Sequence, residues 1–292
     1  MADAEAAEII LRESMSCDSG DSDLSQYLKF AIQLGYVLPA GFLYASFMAT
    51  ILRKRRNREL FHDSFFTLYL LDGAVTLTFL LIDILFMRVT AFIRPVCEFF
   101  TPLLKDYSYT LTPYFAFYMY LQFAKLLSMH FMNVNRYTSV NHPIIHKKIW
   151  VQHCSKAVAL TLLIPLIFVW PVAISKTSFI PYKGQSLILY DHVVPWARTT
   201  YGRILVGGFT LVFTVFSSIV TSAKLSKLGN HMKRVEWSMN IATMFVSAGF
   251  VLFLALQVSY LVFSSDTMDT HPWIATTIFV AMQVSNDFYM LR

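Results

Sequence analysis

Four ionisable side chains lie inside long apolar runs: Asp72, Asp83, Lys125 and Asp287. Charges at bilayer depth are costly, so they face a bundle interior and pair with one another. Asp72 and Asp83 are eleven residues apart, as are Lys125 and Arg136. Eleven helical steps end ~20° past three full turns, so each pair shares one helix face. Asp72 lies ~12 Å from one end of its run, Asp287 ~20 Å from the other end of its own, and Lys125 ~16 Å from Arg136. Asp72, Lys125 and Asp287 can therefore meet as an intramembrane polar cluster, either a buried ion-pair network or a proton relay. Asp83 sits near the far end of its run, where either Arg88 or a ligand could engage it. Other reactive patterns are missing. There is no phosphate loop, no His-Glu-x-x-His and no nucleophile elbow. Cys17, Cys97 and Cys154 have no metal-ligand spacing. The sequence thus points away from an enzyme, and no cofactor or metal is expected.

These residues must be carried by membrane helices. The chain is 56% hydrophobic and only 14% charged, whereas a soluble protein has about a quarter charged residues. A spanning helix needs about 20 mostly apolar residues. Seven stretches qualify: 30–52, 65–87, 112–134, 157–174, 204–222, 239–263 and 273–290. None shows the alternation of a membrane β-barrel strand, so sheets are not expected. The predicted fold is an all-α membrane protein, a seven-transmembrane helix bundle in one domain over 28–292. Residues 1–27 are acidic and Ser-rich and read as a disordered extracellular tail. They lack the order of a cleaved signal peptide, so none is expected.

The net charge of +6 is not a nucleic-acid signature, because the basic residues sit in short loops between spans. One set of loops, with the C-terminus, holds fourteen Lys or Arg and three acids; the opposite set, with the N-terminus, holds nine and twelve. Positive loops stay cytoplasmic. The expected orientation is N-terminus outside and C-terminus cytoplasmic.

At the cytoplasmic end of the third span stands Asn135-Arg136-Tyr137, with Pro143 seven residues after Arg136 and Lys147, Lys148 and Trp150 beyond. This resembles the Asp-Arg-Tyr region of rhodopsin-like seven-helix receptors. The form Asn-Arg-Tyr-Thr-Ser-Val ending in Lys-Lys-Ile-Trp, with Gln33-Leu34-Gly35-Tyr36-Val37-Leu38-Pro39 opening the first span, is similar to nematode serpentine chemoreceptors of the gamma class. The resemblance covers roughly 28–292.

It implies a chemosensory receptor that binds a small-molecule or pheromone-like ligand and signals to a heterotrimeric G protein. Asn135, Arg136, Tyr137 and Pro143 would form the coupling switch. Neutral Asn135 cannot pair with Arg136, which makes Glu236, at the start of the sixth span, a candidate partner. In rhodopsin-like receptors a sodium ion sits between an aspartate of the second helix and partners on the third and seventh. Here the Lys125 ammonium would replace that metal between Asp72 and Asp287 and act as a latch, or simply neutralise one carboxylate. Tyr118 and Gln122 share the Lys125 face and, with Asp83, Gln257 and Tyr260, form the candidate ligand pocket. Cys17 and Cys97 both lie outside, where disulfides persist. The second outer loop has no cysteine for the bond usual in rhodopsin-like receptors, so Cys17 and Cys97 either pair or stay free. The implied location is the plasma membrane, in sensory-neuron cilia.

The sequence departs from the rhodopsin-like pattern in places. The fifth and sixth spans have no Pro, and Ser285-Asn286-Asp287-Phe288-Tyr289 only partly matches Asn-Pro-x-x-Tyr. The seventh span has no Lys, which excludes a retinal Schiff base there. The sequence stops at Arg292, where the family resemblance leads to the expectation of a further short apolar segment and a basic tail. The competing function is a proton- or ion-coupled transporter with Asp72, Lys125 and Asp287 as its relay; the spans show no internal repeat of the kind carriers often have.

Overall fold

In the computed structural model the described residues are 17, 22–56, 64–182, 185–191, 193–194, 197, 199–225, 248–249, 251–252, 254–256 and 258–259. The first span lies in α1 (Asp23–Arg56). The second begins as α2 (Ser64–Ile82), widens into a π-helical turn (Asp83–Arg88) and closes as α3 (Val89–Phe92). A short helix, α4 (Arg94–Leu104), leads to α5 (Thr112–Asn141), the third span. The fourth lies in α6 (Pro143–Ala173) and the fifth in α7 (Thr199–Leu225). The sixth and seventh spans lie largely or wholly outside the described residues.

Helix α5 is the axis. It packs against α2, α6 and α7, and its Phe123, Ala124, Lys125, Leu126, Ser128 and Met129 are almost wholly buried. Four described helical stretches, Asp23–Arg55, Ser64–Phe92, Pro143–Ala173 and Thr199–Lys224, are long and apolar enough to cross a membrane. Helix α5 has the length, at 30 residues, but carries more tyrosine, amide and charge. Surrounded by other helices rather than lipid, it can hold polar groups that a lipid-facing helix could not. The outer helices reverse the soluble pattern: Phe42, Leu43, Leu163, Ile167, Leu205 and Phe209 are exposed, as a bilayer requires.

Helix α5 continues past residue 134 to Asn141, and α6 starts at Pro143, well before residue 157. Only His142, with φ −133° and ψ 58°, separates the two helices. Hydropathy marks the bilayer part of a helix, whereas backbone hydrogen bonds carry it on into polar surroundings. Pro143 suits the first helical turn, where its missing N–H is no loss.

The opposite end carries a feature absent from the sequence reading. Strands β1 (Thr177–Tyr182) and β2 (Gln185–Tyr190) form an antiparallel hairpin, with Thr177 facing Tyr190 and Tyr182 facing Gln185. The bundle is helical as expected, but this loop is a sheet. It is fixed to the segment before α5 by Ser108 N to Thr177 O, 3.0 Å, and Thr177 N to Ser108 O, 2.9 Å. Phe179, fully buried, packs with Leu104, Leu111, Phe86 and Tyr114. The disulfide Cys17–Cys97, with Cα atoms 6.0 Å apart, ties the N-terminal segment to α4. Part of that segment is helix rather than tail, since α1 begins at Asp23.

Candidate functional site

Three polar groups are strung along α5. The middle one is built on Asp72 and Lys125. Lys125 Nζ lies 2.8 Å from Asp72 Oδ2 and donates to Thr76 Oγ1 at 2.7 Å. Tyr44 of α1 donates its hydroxyl to the same carboxylate oxygen at 2.9 Å, and Ser128 donates to Oδ1. The ammonium also stands over the Tyr44 ring, 5.7 Å from its centroid, and Tyr69 stacks on that same ring at 5.5 Å. Asp72 and Lys125 are 1% and 0% exposed; without each other both charges would be stranded in a low dielectric. Gly73 lets α1 come this close, since a Cβ there would collide with the Met48 side chain. Asp287, the third member expected of this cluster, lies outside the described residues.

Nearer the hairpin end, the π-turn gathers a second network. Arg88 Nε meets Asp83 Oδ2 at 2.6 Å, and Arg88 Nη1 donates to Gln33 of α1 at 3.0 Å. Tyr118 of α5 donates to Asp83 Oδ1 at 3.1 Å. In an α-helix, residues five apart are ~140° apart around the axis. The wider π-turn brings Asp83 and Arg88 onto one side. Asp83 is therefore engaged by Arg88 and Tyr118 rather than displayed alone. One turn further along α5, Gln122 accepts from Arg203 Nη1 of α7 at 3.3 Å. The structure thus brings Asp83, Tyr118 and Gln122 into one region, while Gln257 and Tyr260 lie outside the described residues.

The third group is at the elbow between α5 and α6. Asn135 is buried and donates to Ser64 Oγ at 2.8 Å, so its amide binds α2. Tyr137 packs edge-on to Phe213 of α7, with ring centroids 6.2 Å apart. Thr138 receives the Trp150 indole N–H at 2.8 Å, and Lys224 Nζ of α7 binds the Asn141 carbonyl at 2.8 Å. Trp150 packs with Leu68 and Ala157. Arg136 is half-buried on α5, between the Asn135 and Tyr137 contacts. Right after Pro143, Ile144 is 94% exposed. Glu236 lies outside the described residues.

Several partners were not read from the sequence. Thr76 is four residues after Asp72 and Ser128 three after Lys125, so helical spacing alone places each beside its charge. Tyr44, Gln33 and Arg203 carry no such local signal, because their roles depend on which face of α1 or α7 turns inward.

The family model described as Srg family chemoreceptor matches residues 30–292. The chain is similar to serpentine receptor class gamma-5 of Caenorhabditis elegans, 30% identical over 251 residues that cover 86% of this chain and 77% of that one. Serpentine receptor class gamma-2 of the same organism is 29% identical over 236 residues, covering 81% and 72%. Serpentine receptor class gamma-4 is 29% identical over 250 residues, covering 86% and 79%.

Proposed function

The chain belongs to the Srg family of chemoreceptors, and we propose that it binds a small external chemical and signals to a heterotrimeric G protein by shifting helix packing around Arg136. It is a multi-pass membrane protein; the proposed arrangement is seven spans, with the hairpin end outside and the α5–α6 elbow in the cytoplasm at the plasma membrane. One observation carries the reading. The rigid, buried helix α5 holds Tyr118 and Gln122 at one end and Asn135, Arg136 and Tyr137 at the other. Eighteen residues, ~27 Å of helix, separate Tyr118 from Arg136, so a ligand-dependent move at one end displaces the other.

The elbow suits a cytoplasmic partner. Asn135 ties α5 to α2 through Ser64, Trp150 ties α6 to Thr138 of α5, and Ile144 and Lys147 of the same elbow are exposed. A ligand with different affinity for two packings would shift their populations without covalent chemistry. In the carrier reading Asp72 and Lys125 would pass a proton; instead Tyr44, Thr76 and Ser128 close around the pair, which favours a packing role.

The test is G-protein recruitment by the full chain in cells exposed to fractionated bacterial and nematode extracts, with Arg136→Ala at matched surface levels. Ligand-dependent recruitment that the variant loses is expected. Recruitment equal in both proteins would sink the reading, as would substrate uptake by the chain in proteoliposomes.

A further inference from the structure

Helix α4 has three sides. At ~100° per residue, Cys97, Phe100, Thr101 and Leu104 fall together and face the bundle. Cys97 and Leu104 are buried, Phe100 packs on Phe86 with ring centroids 5.7 Å apart, and Thr101 Oγ1 lies 3.4 Å from Cys17 Sγ. Arg94, Glu98 and Lys105 form a second, exposed side, where Arg94 Nε meets Glu98 Oε1 at 2.8 Å. Phe99 and Leu103, one turn apart, form the third, and each is 64% exposed. A surface helix in water keeps its outward residues polar; α4 does so on one outward side and not on the other.

The height of α4 is fixed by its contacts. Its seat, Phe86, lies within the membrane-length stretch Ser64–Phe92, and Leu81 and Leu85 just before it are exposed. Exposed leucines on a spanning helix face hydrocarbon, so the hydrocarbon reaches the level of Phe86. Slightly above, Phe30 of α1 meets Phe92, with ring centroids 6.0 Å apart. At this end Tyr27 and Tyr109 are exposed, and Lys176 Nζ stands over the Tyr109 ring, 5.9 Å from its centroid. Tyrosines gather where acyl chains give way to headgroups.

We infer that α4 is an interfacial membrane helix. It lies along the leaflet at the hairpin end, with Phe99 and Leu103 in the acyl chains and the Arg94–Glu98 edge and Lys105 among headgroups and water. An amphipathic helix in this position sinks its apolar side ~5–10 Å into the headgroup–acyl boundary. Lipid suits this face better than a second protein. Two side chains fall far short of the ~800 Å² per partner that a stable protein interface buries, whereas a leaflet needs no matching surface. Through Phe86 the same contact braces the π-turn that carries Asp83 and Arg88. The inference goes beyond the receptor reading and rests only on the chain spanning a membrane.

The experiment uses the full chain, one copy per phosphatidylcholine nanodisc. On a Cys154→Ser background a nitroxide is attached at Phe99→Cys, Leu103→Cys or Glu98→Cys, and peptide mapping checks that Cys17–Cys97 persists in each. The readout is the ratio of collisions with oxygen, which concentrates in acyl chains, to collisions with a water-soluble nickel chelate. Labels at 99 and 103 are expected to give a ratio several-fold above that at 98. Phe99→Trp, which adds no thiol, gives an independent reading: brominated phosphatidylcholine should quench its added emission. The inference is overturned if the three labels give equal ratios, if those at 99 and 103 are shielded from both reagents because protein covers them, or if brominated lipid leaves the added tryptophan unquenched.

Discussion

At the scale of single residues, the Asp72–Lys125 pair is the point of highest electrostatic stake. Each charge is buried and engaged by at least two described partners. Lys125→Met leaves Asp72 as an uncompensated buried carboxylate, and we expect a loss of ~3–5 kcal/mol in stability. Asp72→Asn combined with Lys125→Met should restore most of it, because the pair is then neutral and of similar volume. Thermal unfolding and surface expression check both. If the pair is a latch, the stable double variant also shows raised basal recruitment; unchanged basal recruitment confines the pair to packing. Much of this cluster was legible in the sequence, because helical spacing fixes the faces of Asp72 and Lys125. Tyr44 was not, since nothing in α1 tells which of its tyrosines points inward.

At the scale of elements, the hairpin and the π-turn were the parts that sequence patterning could not supply. A six-residue strand in a loop between spans has too few alternations to stand out, and the residue that anchors it to the bundle, Ser108, is far away in sequence. Phe179→Ala removes a fully buried ring at the hairpin root, and about 3–5 kcal/mol of stability should go with it. Faster proteolysis within 177–190 than elsewhere would localise the loss to the hairpin, whereas unchanged unfolding and cleavage would show that the hairpin is not held by this ring. Gly202→Leu tests the close seat of α7. It should shift α7 away from Phe123 and Phe168 and break the Arg203–Gln122 contact. A lowered thermal unfolding midpoint is the expected result, and an unchanged midpoint would show that α7 has room for a side chain at this position. The elbow was half-legible: Pro143 and the run Lys147-Lys148-Ile149-Trp150 marked it, but the continuity of helix on both sides of His142 did not show in hydropathy.

At the scale of the molecule, five of the seven spans read from hydropathy have described helices at their positions, and their order agrees. The most polar of them, α5, was still recognisable as a span because its only charge between residues 112 and 134 is Lys125, with apolar residues on both sides of it. The inferred orientation came from the Lys and Arg distribution, a property of loops rather than of packing. It predicts that an epitope placed before Met1 is stained on intact cells and one placed after Arg292 only after permeabilisation. The reverse pattern would reject the orientation. The disulfide belongs to this scale too, since Cys17 and Cys97 are 80 residues apart and their pairing stayed open in the sequence. Replacing both with Ser should loosen the N-terminal segment and lower the unfolding midpoint, and an unchanged midpoint would show that the bond is dispensable to the bundle.

The coupling of the two ends of α5 is tested most directly by reciprocity. Ligand and G protein must change each other's affinity by the same factor if they act through one equilibrium. We would measure the binding of the most active extract fraction to the full chain in nanodiscs, with and without nucleotide-free heterotrimer, for the parent and for Arg136→Ala. A gain in ligand affinity of about fivefold or more on adding the heterotrimer, absent in Arg136→Ala, is the expected result. Ligand affinity that ignores the heterotrimer in the parent would contradict transmission along α5.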